Sequence, residues 1–141
     1  MMSNELPPRT FTIPEPYDAA LRKVRTALAR QGLRTPAELD IAARIRRDLG
    51  AGVAPCTVLY VDTPAILLEA VVFNRGAALL IPQALVVTGD QRQSEVLMRS
   101  PELTGAIPES VREPLRELQA RIGRALAGIA ERQEAQLALS C

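Results

Sequence analysis

One feature near the end of the 141-residue chain constrains its fold more than any other. Val111, Leu115, Leu118, Ile122, Leu126 and Ile129 recur at steps of four, three, four, four and three, the period of a single apolar face on a continuous helix. Such a face must be buried against another element. Short segments with the two-residue alternation and β-branched content of strands, punctuated by 11 prolines and 8 glycines, supply a sheet for it to cover. An α+β fold with a long C-terminal helix is therefore predicted, with a coiled-coil seam or a partner-binding face as the other use of the stripe. The helix is expected to begin near Glu113-Pro114, because proline fits a first helical turn. Gly123 and Gly128 each cost roughly 1 kcal/mol relative to alanine inside a helix, which points to close approach by another element.

Upstream, Arg9 to Ile13 alternates as a strand, with Phe11 and Ile13 on one side, until Pro14 and Pro16 end it. Tyr17, Leu21, Val24 and Leu28 predict an amphipathic helix closed by Gln31-Gly32. Leu33 to Leu39 reads as a strand that Pro36 confines to an edge or a bulge. Ile41, Ile45 and Leu49 predict a short helix over Asp40 to Leu49, stopped by Gly50. Thr57 to Val61 reads as a largely buried strand. Asp62-Thr63-Pro64 joins two helix-capping residue types to a proline suited to the first helical position, so a helix should run from Ala65 to about Phe73 and end at Asn74-Arg75-Gly76. Two apolar runs around Pro82-Gln83 read as a strand pair, followed by a hairpin turn at Gly89-Asp90-Gln91 and a return strand over Gln93 to Arg99. The expected organisation is a flexible start (1–8), a single domain (9–132) and a frayed tail (133–141).

Composition decides mainly what to exclude. With 48% hydrophobic and 23% charged residues the chain has the make-up of a packed globular protein. Seventeen basic and 16 acidic side chains leave a formal charge of +1, which offers no attraction toward nucleic acid or anionic lipid. Only 3% of residues are aromatic, too few for a base-stacking platform. No histidine occurs, which removes the commonest general base, the usual triads and most catalytic zinc sites. Cys56 and Cys141 form no CxxC pair, so neither a structural metal site nor a disulfide framework is expected, and Cys56 reads as a small buried apolar residue. Gly50 and Gly52 follow a helix where a dinucleotide fingerprint would follow a strand. No secretory signal and no membrane span is legible, and the expected location is the cytoplasm. No catalytic residue or metal ligand is assigned, and no cofactor is announced.

The candidate binding site is Asp62, Thr63 and Pro64 with Pro82 and Gln83, where the strand ending at Val61 meets the next helix. Amide groups and the positive end of that helix would receive a small molecule or an anion, with the Thr63 hydroxyl adding a contact. Asp62 argues against a highly charged anion, and Asp62 or Thr63 could equally serve only to cap the helix. Two other classes stay open. One is an enzyme using Asp62, Glu69 or Tyr60 with a bound cofactor; the other is a protein-interaction module presenting the C-terminal stripe.

The order of these features resembles the domain of unknown function 302 family over roughly Arg9 to Ile129. The resemblance rests on the tyrosine-led helix ending in Gln31-Gly32-Leu33, on Asp62-Thr63-Pro64, and on the Leu79-Leu80-Ile81-Pro82-Gln83 segment. It implies a twisted, mainly antiparallel sheet with helices packed on one face, and a homodimer. It also implies cysteine where this chain has Asp62 and Gln83, so any thiol chemistry of relatives at those positions is missing here.

Overall fold

The computed structural model describes residues 8–99 and 107–131. The predicted flexible start, apart from Pro8, and the predicted frayed tail lie outside the described residues. The elements run β1 (Arg9–Ile13), α1 (Tyr17–Arg30), β2 (Arg34–Asp40), α2 (Ile41–Leu49), β3 (Cys56–Asp62), α3 (Pro64–Phe73), a 3-10 turn (Arg75–Leu79), β4 (Gln83–Gly89), β5 (Ser94–Met98) and α4 (Glu109–Ala127). The strands form one five-stranded sheet in the order β1-β5-β4-β3-β2, antiparallel at every neighbour.

Strand alternation sends Ile13, Leu59, Val61, Leu85, Val87, Val96 and Met98 to one side of the sheet. They form one buried core with Leu21, Val24 and Leu28 of α1, Ile66 and Ala70 of α3, and the α4 stripe. The stripe from Val111 to Leu126 is at most 1% exposed, so it covers the domain's own sheet. That burial removes it as a surface for a partner.

Pro36 behaves as its chemistry requires. β2 is an edge strand, and its pairing with β3 slips between Arg34 and Ala37. The bidentate hydrogen bonds from Arg25 to Glu38, at 2.8 and 2.6 Å, tie α1 to that edge. Gly50 ends α2 in the left-handed conformation at φ 69°, and the Asp40 carboxylate caps its start by accepting from the Ala43 amide at 2.9 Å.

Six expectations need correction. β3 is not largely buried: Thr57, Leu59 and Val61 are inside, while Cys56, Val58 and Tyr60 are half-buried, because the core helices cover only one face. Cys56 is accordingly not a core residue, and burial together with nearby Asp40 pushes its thiol pKa up, which makes it a poor nucleophile. The apolar steps of α2 do not enter the core; Leu49 is 78% exposed and Ala42 is the buried position. α4 starts at Glu109, so Pro114 sits in its second turn, close enough to the terminus that little helix precedes the hydrogen bond it removes. Ala77 to Leu79 belongs to the 3-10 turn instead of a strand, with the Asn74 side chain accepting from the Gly76 amide at 2.8 Å. Of the two α4 glycines, Gly123 is a close approach, where a Cβ would lie 3.1 Å from Arg9 Nη1, whereas Gly128 is the helix cap.

Candidate functional site

β3 ends at Asp62, and Thr63 takes an extended backbone (φ −130°, ψ 146°) that turns the chain from strand to helix. Its Oγ1 accepts from the Ile66 amide at 3.0 Å, and its carbonyl accepts from the Leu67 amide at 3.0 Å. Pro64 occupies the first helical position and has no N–H to give. Of the first-turn amides, only that of Ala65 is left for an anion.

Gln83 opens β4 directly opposite Val61, after the cis Ile81-Pro82 bond, so its side chain points into the core side of the sheet. The Gln83 amide nitrogen donates to the Ala84 carbonyl at 3.1 Å. Its Oε1 accepts from Gln119 Nε2 on α4 at 3.2 Å. Gln119 is 1% exposed, and its own Oε1 has no hydrogen-bond partner. Gln83 and Gln119 thus form a buried polar junction between β4 and α4, while the buried Thr63 hydroxyl is engaged in capping α3. Gln119 was legible as an anomaly, since it stands four residues after Leu115 and three before Ile122, on the apolar side of the helix.

Asp62 takes a different direction. Alternation places it with Tyr60 on the opposite side of β3 from Val61 and Gln83, in register with Arg34. Burial pushes its carboxyl pKa up, and the Arg34 charge partly opposes this. A raised folded-state value means that stability is lost as pH rises from the ordinary aspartate range through that value. Asp62→Asn is therefore expected to raise the melting temperature at neutral pH, with the gain vanishing on acidification; a gain that persists or grows in acid would contradict this cause. Glu69 is exposed on α3, and among the described residues no hydrogen bond joins Asp62, Glu69 and Tyr60.

Three cavities lie away from the predicted site residues. One of about 540 Å³ opens beside Tyr17 and Asp90 at the start of α1. A second, of about 440 Å³, lies between α3 and α4, lined by Glu69, Phe73, Glu109, Ser110, Glu113 and Pro114. The third, of about 260 Å³, is an apolar groove between the 3-10 turn and the start of α4. Among the described residues no cluster of three or more His, Cys, Asp or Glu is placed to hold a metal ion, and no helix is long and apolar enough to cross a membrane.

The fold and this junction define a small α+β domain, an antiparallel sheet roofed by helices and pinned by polar side chains at one end of its central strands. Residues 9–129 match the domain of unknown function DUF302, and the chain belongs to that family. It is similar to the crystal structure of the uncharacterized conserved protein DUF302 from Bacillus stearothermophilus, with a TM-score of 0.77 at 15% identity, covering 86% of this chain and 97% of that one. At that identity the likeness establishes a shared fold. No curated protein matches the sequence.

Proposed function

We propose that this chain is a non-enzymatic binding module, acting as a homodimer, that takes a small hydrogen-bond-donating molecule at the Gln83–Gln119 junction. One observation carries the reading: Gln119 Oε1 is a fully buried acceptor without a donor. Leaving such an atom unpaired costs about 1–3 kcal/mol, and an amide, amine or hydroxyl of a ligand would remove that cost. A donor suits the junction better than an anion, because capping and Pro64 leave only the Ala65 amide free at the helix start. Asp62 and Tyr60 share one side of β3 while Glu69 stands on α3, and no hydrogen bond joins the three among the described residues, which favours binding over catalysis.

Native mass spectrometry of freshly purified protein, with thermal-shift titration against small amides, amines and alcohols, tests this reading. A retained mass or a raised melting temperature is expected for wild type and not for folded Gln119→Leu. If wild type retains nothing and responds to nothing, while Gln119→Leu is as stable or more so, the junction is an internal polar contact and the proposal fails.

A further inference from the structure

The side of the sheet away from the core helices carries a charged group that the fold does not use. Asp62 is 7% exposed, yet among the described residues its carboxylate has no hydrogen-bond partner. Buried carboxylates are ordinarily paired or hydrogen-bonded, because an ionised group gives up its water on burial. Capping does not account for it, since Thr63 supplies the oxygen that caps α3. Nor does an ion pair. Arg34 stands directly opposite on β2, on the same side of the sheet, and its charge acts on Asp62. Among the described residues neither of the two is joined in an ion pair, and Arg34 is exposed. Asp62 is thus an acceptor without a donor, beside a guanidinium without an acceptor.

The surface next to this pair is low. Tyr60 lies two residues before Asp62 on the same side, and its register partners are Ala37 on β2 and Ala84 on β4, both exposed. Two residues further on, Leu39 and Val58 face one another, half-buried. Two alanines therefore separate a charged end from an apolar row. A ligand for this surface needs a cationic donor for Asp62 and an anionic acceptor for Arg34. The two protein groups stand on paired residues without touching, so one molecule whose own opposite charges are adjacent can meet both. An α-amino acid has that arrangement, and its side chain would lie over the alanines toward Leu39 and Val58, which selects an apolar one. We propose that this side of the β2–β3 pair binds a free apolar α-amino acid, its ammonium on Asp62 and its carboxylate on Arg34. The site is separate from the Gln83–Gln119 junction, which lies on the core side of the sheet.

Equilibrium dialysis of radiolabelled L-leucine against the full chain at neutral pH tests the proposal. Leucinamide, which keeps the ammonium and lacks the carboxylate, and 4-methylpentanoate, which has the carboxylate alone, serve as competitors. Wild type is expected to retain leucine, and each one-charge analogue should compete at least roughly tenfold less well than unlabelled leucine. Asp62→Asn and Arg34→Gln, each confirmed as folded by circular dichroism, should weaken retention by a similar factor, whereas Gln119→Leu should retain leucine as wild type does. No retention by wild type at millimolar leucine overturns the site, as does equal competition by either analogue. Undiminished retention in Asp62→Asn or Arg34→Gln overturns it too. Retention lost only in Gln119→Leu would assign the ligand to the junction instead, so the two readings fail separately.

Discussion

Leu118→Ala is expected to lower the unfolding free energy by roughly 2–5 kcal/mol, the range for truncating a large aliphatic side chain in a closed core. Leu118 is 0% exposed and sits mid-way along α4, the helix that meets both α1 and α3 above the sheet. The hole would be walled by two helices and the inner side chains of the central strands, so little can move in to fill it. Against a total stability of about 5–15 kcal/mol, such a loss brings part of the population to unfolding at moderate temperature. Leu49→Ala is the matched control, because at 78% exposure the same truncation should stay within about 0.5 kcal/mol. Urea unfolding of both variants decides the matter. A Leu118 loss under about 1 kcal/mol would mean that α4 is not closed over the sheet.

Most of that core was legible because α4 repeats one apolar face for five turns, and no irregular loop imitates such a period. The strand-to-helix turn was equally plain, since Thr63 and Pro64 each favour a helix start for a separate physical reason and agree on the position. The failures have one kind of cause. Pro114 reads as a first-turn residue, yet a helix tolerates it one turn further in when few hydrogen bonds precede it. Ala77 to Leu79 is apolar but carries no period long enough to tell a strand from a turn, and the Asn74–Gly76 contact that shapes it depends on a side chain rather than on propensity. The half-exposed side of β3 was invisible for another reason. Val58 and Tyr60 suit a buried strand nearly as well as Leu59 and Val61 do, so composition could not say that helices cover one face alone.

For the candidate site the sequence names residues but not the side of the sheet each one takes. The sequence places Thr63 two residues after Val61, and antiparallel pairing sets Gln83 opposite Val61. It could not reveal that Asp62 turns to the other side of the strand, because that depends on which face the helices choose. Gln119 lies 36 residues from Gln83 in the chain, a separation at which only the packing of α4 can show a contact.

Among the described glycines, Gly89→Ala should meet the closest neighbours and be the most damaging such substitution, with a loss of about 1–3 kcal/mol or more. Gly89 pairs with Ser94 across the end of the β4–β5 hairpin, and a Cβ there would lie 2.7 Å from the Ser94 Cβ and 2.8 Å from its Cα, besides colliding with Oγ. The absence of a side chain lets Ser94 lean across and donate from Oγ to the Glu15 carbonyl at 3.0 Å, which joins the hairpin to the segment after β1. The same turn is held by Asp90, whose carboxylate accepts from the Arg92 and Gln93 amides at 2.7 and 2.9 Å and whose carbonyl receives the Tyr17 amide that starts α1. A shift of Ser94 would therefore propagate to β1 and to the entry of α1 together. Ser94→Ala separates the two sources of the clash. It removes Oγ but leaves Cβ and Cα in place, so the double variant Gly89→Ala/Ser94→Ala should remain at least as destabilised as Gly89→Ala alone. Recovery of wild-type stability in the double variant would show that the hydroxyl, and not the approach of the two backbones, is what Gly89 accommodates.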